Sequence, residues 1–248
     1  MELLLLLLAI GIAFLYFYLN SPAVIGAEGE RRVNSKLSRK LAKLDYILVN
    51  DITLPTVDGT TQVDHIVLSR YGIFVIETKN MSGWIFGGET QTRWTQVMRR
   101  HKSQFQNPLR QNYHHVKVIQ NLLNIRLDKM ENLVVFVGSA KPKTEMPSNV
   151  FWTSRDLINY IISRQAVQFE DGEVHDLAEK LRNNALEANK ETRRAHIQHV
   201  REKVSRIEPA TKCPRCGSPM IGRKNSKTGG NFYGCVRYPK CRGTLEAK

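Results

Sequence analysis

The chain has 248 residues, 42% of them hydrophobic, and a formal net charge of +14 at pH 7. That is room for one packed domain with appendages, and the ordinary apolar content excludes a chain without a core. The charge points to a polyanionic partner, either nucleic acid or the anionic face of a membrane.

Leu3 to Leu19 is an uncharged apolar run of seventeen residues, at the short limit for crossing a bilayer. Tyr16 and Tyr18 fall where an interfacial aromatic belt belongs. The rival is a cleaved signal peptide, but only Glu2 precedes the run and there is no basic leading segment. The first basic cluster (Arg31, Arg32, Lys36, Arg39, Lys40) follows it. By the positive-inside rule, residues 1–20 are then a single-pass anchor in the cell inner membrane, with the rest in the cytoplasm.

Residues 21–27, with Pro22 and Gly26, read as a linker. A helix is expected from Ala27 to about Lys43, where Glu30, Val33, Leu37, Leu41 and Leu44 share one stripe. Glu30 sits in phase with that apolar stripe, and an acid there needs a reason. Three strands are expected next, at Tyr46–Leu54, Thr61–Ser69 and Ile73–Thr78. Pro55–Gly59 and Arg70–Gly72 would turn between them. Short β-like pieces follow near Trp84–Phe86 and Arg93–Met98. Pro108 opens a helix to about Leu123, Leu133–Val137 is an apolar strand, and Asp156–Arg164 is a helix. Residues 28–165 therefore predict an α/β core, a mixed sheet flanked by helices. From Glu173 to Arg206 the chain is charged, with apolar patches at Val174, Leu177, Leu181 and at Ile197, Val200, Val204, Ile207. Residues 166–209 read as a connecting helix, either simply solvated or self-associating.

Residues 210–248 hold all four cysteines. Cys213 and Cys216 form one close pair, Cys235 and Cys241 another, and one loop joins the pairs. Two pairs of soft thiolates suit a structural tetrahedral Zn2+, and a cytoplasmic setting disfavours the rival, two disulfides. From Lys212 onward nine basic residues face a single acid, Glu246. Arg215, Arg223, Lys224, Lys227, Arg237 and Lys240 lie among Phe232, Tyr233 and Tyr238. Cations interleaved with aromatic faces suit single-stranded nucleic acid.

The chemistry of the core lies on the second and third strands. Asp64 interrupts the apolar run of Gln62–Leu68, and Glu77 and Lys79 alternate at period two, so they share a face. Two neighbouring carboxylates repel unless a cation lies between them, which suits Mg2+ or Mn2+. The bland reading is a turn-closing Asp64 and a surface ion pair of Glu77 with Lys79. His65 faces away from Asp64 and reads as a core residue. His115 lies four residues after Gln111, on the same helix face. His196 and His199 read as solvated, and Trp84 and Trp94 as packing.

Two resemblances sharpen this. Gly26–Glu30, Val63-Asp64-His65-Ile66-Val67-Leu68 and Gly72–Lys79 are similar to the nuclease-related domain (NERD), a family assigned to the PD-(D/E)XK nuclease superfamily. The resemblance implies a restriction-endonuclease-like core in which Asp64 and Glu77 hold the metal and Lys79 acts on water. It also implies that Glu30 supports the metal geometry and Gln111, in Asn107-Pro108-Leu109-Arg110-Gln111, positions a strand or water. Cys213-Pro214-Arg215-Cys216-Gly217-Ser218-Pro219-Met220, Gly230–Cys235 and Tyr238-Pro239-Lys240-Cys241 resemble the C-terminal zinc ribbon of bacterial type IA topoisomerases, which implies binding of single-stranded DNA. Together these predict a membrane-anchored, Mg2+-dependent nuclease acting on DNA. The alternative is a non-catalytic tether of DNA at the membrane. A lipid-headgroup role for the charge is weaker, because the ribbon's cations lie far from the anchor.

Overall fold

The structure is a computed structural model that describes residues 11–12, 14–57, 59–170, 172–187, 198, 213–218, 220–224 and 231–246. They divide into two compact units, Met1–Ala188 and Asn189–Lys248.

The first helix of the core, α1, spans Pro22–Leu41. The linker expected over 21–27 is instead its opening turn. Ser21 caps the helix by accepting from the Val24 amide, and Pro22 takes the first helical position, where its missing N–H costs nothing. Arg39 and Lys40 suit the negative end of the dipole in the last turn. Leu44, expected on the apolar stripe, lies past the helix end and is exposed. Of the proposed anchor, residues 1–10 and 13 lie outside the described residues. Among the described ones, no helix is long and apolar enough to cross a membrane.

Seven strands form one mixed sheet: β1 Ile47–Thr56, β2 Gly59–Ser69, β3 Gly72–Phe86, β4 Arg93–Met98, β5 His101–Gln106, β6 Met130–Pro142 and β7 Val150–Phe151. β3 is the axis. Along one edge it pairs in parallel with β6, from Ile73 to Ile85. Along the other it pairs first with β2 and later with β4. The piece expected at Trp84–Phe86 is thus the far end of a single long strand.

The remaining helices are α2 Pro108–Leu123, α3 Ser154–Ser163 and α4 Glu173–Asn184. One face of the sheet carries α1 and α3, where Val33, Leu37 and Leu41 meet Val67, Phe74, Ile76 and Leu157. The other carries α2 and α4, where Val116, Ile119 and Leu181 meet Ile66, Leu68, Ile73 and Val75. Burial on both faces explains the unbroken apolar run of Ile73–Ile76. The chain from 166 on is less of a connector than expected. Phe169, Val174, Ala178 and Leu181 are buried in the core, α4 stops at Asn184, and Leu186 bridges to Thr53 of β1. The second apolar patch of the expected long helix, at 197–207, lies outside the described residues.

Asp51 takes a left-handed φ of 49°, and there the in/out alternation slips by one residue in both β1 and β2. Val49 and Ile52 contact the α2 side, as do Val63 and Ile66. The slip falls at Asp64. It marks the point at which β2 parts from β3 while remaining paired with β1.

Candidate active site and zinc ribbon

The last paired residues of β2 and β3 are His65 and Ile76, and one step further the register sets Asp64 against Glu77. There the ladder ends. The Thr78 amide donates instead to Asp64 Oδ2 at 2.8 Å, so a side chain satisfies a backbone donor that the departing strand no longer reaches. β4 joins β3 only at Trp84. Between the two, Glu77–Gly83 has a strand edge with no ladder partner. Lys79 follows Glu77 at period two on the face covered by α2.

Helix α2 is set firmly against this edge. Its cap, Asn107, is fully buried; its Oδ1 accepts from the Leu109 amide and its Nδ2 reaches the carbonyls of Gly88, Glu89 and Gln91. One turn on, buried Asn112 donates to the carbonyls of Val75 and Leu133. So placed, α2 delivers Gln111 and His115. Lys79 Nζ donates to Glu77 Oε1 at 2.6 Å and to Gln111 Oε1 at 3.0 Å. His115 Nε2 lies 3.4 Å from Glu77 Oε2, longer than a well-formed hydrogen bond, while its Nδ1 lies 2.8 Å from Thr61 Oγ1. A proton on Nε2, toward the carboxylate, leaves Nδ1 to accept from the Thr61 hydroxyl.

Glu30, on α1, is partly buried and near enough to act on Asp64. α1 approaches β3 closely because Gly29 has no side chain; a Cβ there would lie 2.5 Å from Asn80 Cβ. Asn80 in turn donates to the Ile25 carbonyl of α1. Burial first, then the negative charges of Glu77 and Glu30, push the Asp64 carboxyl well above its ordinary range. Glu77 goes the other way. Burial opposes its charge, but Lys79 and His115 outweigh that and hold its carboxyl below the usual value. The pair is therefore split into a reluctant acid and a ready carboxylate.

All five residues expected from the resemblance, Glu30, Asp64, Glu77, Lys79 and Gln111, come together at the break between β2 and β3. Asp64 and Glu77 lie beside the partly buried Lys79 ammonium, and Glu30 acts on Asp64. Their oxygens are of the hard type that divalent cations take, and a positive charge beside Asp64 would favour its charged form. Thr61, Asn112 and His115 also shape the site. Of these only His115 had left a signal, its four-residue spacing from Gln111. His65 behaves as a core residue. Its Nδ1 lies 2.9 Å from Asn50 Oδ1, and burial lowers its pKa to about 4. Trp94 is fully buried and stacked on Phe136, whereas Trp84, expected to pack, is half exposed with the Lys143 ammonium 4.7 Å from its ring centre.

The second unit holds a three-stranded antiparallel sheet, with β9 (Asn231–Cys235) between β8 (Met220–Lys224) and β10 (Thr244–Glu246). The sulfurs of Cys213, Cys216, Cys235 and Cys241 all lie within 4.8 Å of one another. Cys213–Cys241 and Cys216–Cys235 are 3.7 and 3.5 Å apart. A tetrahedron with metal–sulfur bonds of about 2.3 Å has sulfurs about 3.8 Å apart, so the four thiols suit Zn2+. The four cysteines are free, with no disulfide between them. Around them, Arg215, Arg237, Lys240 and Arg242 line a cleft of about 470 Å3 with Pro239 and two of the ligands. Tyr238 is exposed, and the Arg223 guanidinium stands 5.5 Å from its ring centre. Phe232 and Tyr233 are partly buried. Lys227 and the side chain of Lys224 lie outside the described residues.

Known proteins agree with this division. Residues 25–137 match the Nuclease-related domain family, and residues 210–248 match the Topoisomerase DNA binding C4 zinc finger. An uncharacterized protein of Bacillus anthracis is 35% identical over 194 residues, which cover 75% of this chain and 88% of that protein. DNA topoisomerase 1 of Pyrococcus furiosus is 52% identical over 33 residues, and that of Pyrococcus horikoshii 53% over 30. Those stretches cover 13% and 12% of this chain but only 3% and 4% of the topoisomerases, so the likeness is to the ribbon alone. No solved structure matches the chain significantly. The chain belongs to the nuclease-related domain family and ends in a topoisomerase-type C4 zinc ribbon.

Proposed function

We propose that the protein is a metal-dependent nuclease that hydrolyses DNA phosphodiester bonds. In this reading it is held at the inner membrane by residues 1–20 and grips single-stranded DNA with its ribbon. The observation that carries the reading is the convergence of Asp64, Glu77, Lys79 and Gln111 where β2 parts from β3. Asp64 and Glu77 would hold Mg2+ or Mn2+, which when bound polarises a phosphoryl oxygen and acidifies water. A cation there would favour the charged form of Asp64, which burial and the neighbouring acids disfavour. Lys79, kept in place by Gln111, presents its ammonium to the phosphate or orients the attacking water. Glu77 keeps its charge throughout, because His115 and Lys79 favour it.

One observation favours a non-catalytic DNA tether instead. Both oxygens of Glu77 already face a lysine or histidine. Incubation of the full-length protein with labelled single- and double-stranded DNA in Mg2+, Mn2+ or EDTA separates the two readings. The nuclease reading expects cleavage only with metal, abolished in Asp64→Ala and Lys79→Ala with binding retained. Binding of every DNA form with cleavage of none would favour the tether.

A further inference from the structure

The cationic character of this chain is not confined to its ribbon. From Thr90 to Leu127 there are seven Lys or Arg residues and no Asp or Glu. This acid-free stretch holds the β4–β5 hairpin and α2, the elements that flank the candidate active site. At the hairpin tip Arg99, Arg100, His101 and Lys102 are all exposed, and Arg99 takes a left-handed φ of 54° to make the tight turn. Among the described residues, Arg99, Arg100 and Lys102 have no ion-pair partner. A solvated basic turn is ordinary in itself. Its aim is not.

β4 runs antiparallel to β3 with Trp84 against Val97 and Phe86 against Thr95. The hairpin therefore points back along β3, toward Glu77. Gln96 Nε2 donates to the Ser82 carbonyl, and a Cβ on Gly83 would lie 2.5 Å from the Val97 carbonyl oxygen. The tip thus begins beside Ser82 and Gly83, at the far end of the strand edge that Glu77 and Lys79 open. At about 3.3 Å per strand residue, Ser82 lies about 10 Å from Lys79 and about 17 Å from Glu77. One strand of duplex DNA advances about 3.4 Å per phosphate along the axis, so the interval is about three to five nucleotides. Residues 98–102 contain no Phe, Tyr or Trp. The tip offers charge without stacking faces, which suits the backbone of a double helix better than splayed bases.

We propose that the β4–β5 hairpin is a phosphate-gripping arm that holds duplex DNA about three to five nucleotides from the scissile bond, independently of the ribbon. The arm rests on the nuclease reading only for the meaning of "scissile"; the grip itself needs no cleavage. Duplex binding by the zinc-loaded full-length protein is measured with no Mg2+, Mn2+ or chelator added, by fluorescence anisotropy over a range of salt, for wild type and for the double substitution Arg100→Gln, Lys102→Gln. Two lost phosphate contacts flatten the plot of log affinity against log salt by about 1.8 and weaken binding ten- to a hundredfold near 0.1 M salt. The melting temperature stays at the wild-type value, because both side chains are exposed. The pair Arg215→Gln, Arg237→Gln serves as comparator, weakening single-stranded binding while leaving the duplex slope. A double variant that matches wild type in both slope and affinity overturns the arm. So does one that loses affinity for vesicles containing phosphatidylserine while keeping its grip on DNA. Because the binding assay contains no added Mg2+ or Mn2+, a protein that fails to cut DNA when those ions are supplied but shows the flattened slope refutes the nuclease and keeps the arm. Cleavage with an unchanged slope does the reverse.

Discussion

Asp64 is where the site's electrostatics can be read most directly. Its folded pKa lies above the unfolded value, for burial and two neighbouring acids disfavour its charge. The sign follows. Its contribution to stability is intact at low pH and is lost as pH rises from the unfolded value through the folded one. At neutral pH Asp64→Asn removes that cost, and an amide oxygen still accepts from Thr78. The metal-free variant should melt about 2–4 °C higher than wild type, for a gain of about 1 kcal/mol. It should no longer be stabilised by added Mn2+. Differential scanning calorimetry with and without Mn2+ checks both; a lower melting temperature would show that Asp64 stabilises as a charged group. His115 acts through Glu77. His115→Ala leaves Thr61 unpaired and opens a cavity, which should cost about 2–4 kcal/mol. If His115 orients a metal-binding carboxylate, Mn2+ affinity should also fall about 10–100-fold. Loss of stability with unchanged Mn2+ affinity would confine His115 to a packing role.

Among the elements, the close contact between α1 and β3 constrains the site. Alanine favours a helix over glycine by about 1 kcal/mol, yet Gly29→Ala places a methyl group where Asn80 and Val137 already stand. The expected outcome is a net loss of about 1–3 kcal/mol in urea denaturation, because α1 must move away and carry Glu30 from Asp64. A stabilised variant would mean the contact is loose. The strand positions of Asp64 and Glu77 were legible in the sequence because apolar runs interrupted by an acid stand out against a buried sheet. The length of β3 was not, since its partly buried middle, Asn80 to Gly83, breaks the apolar pattern while β6 still pairs with it. β5 was missed because its alternation of polar and half-buried residues lacks an apolar face, and only its pairing with β4 makes it a strand. The fate of Pro22 shows a similar ambiguity. A proline after a serine reads equally as a break or as a helix start, and the packing of Val33 and Leu37 decides. α4 appeared to be a connector because its one apolar patch is short and its surface charged; Val174 and Leu181 of that patch bury themselves in the core together with Ala178.

At the scale of the whole molecule, two units share the work and should separate in experiment. The ribbon has a small core, Cys213, Met220 and Cys235 with a few partly buried neighbours, so its fold depends on metal. One Zn2+ per chain is expected by atomic absorption. Stripping it with a strong chelator should abolish single-stranded DNA binding while the core's melting transition persists. A core that melts on zinc removal would contradict the division. Duplex binding through the β4–β5 hairpin should survive the same treatment.

The central claim is that Asp64 and Glu77 form a cation site in which the ion favours the charge that burial and neighbouring acids disfavour on Asp64. Titration of the zinc-loaded protein with Mn2+ in two buffers of different ionisation enthalpy tests it. The account predicts one Mn2+ site per chain, with a proton released on binding at the acidic end of the accessible pH range and the release fading as pH rises. Both binding and release should be absent from Asp64→Asn. Mn2+ binding with no proton release, or binding that persists in Asp64→Asn, would place the metal elsewhere and contradict the account.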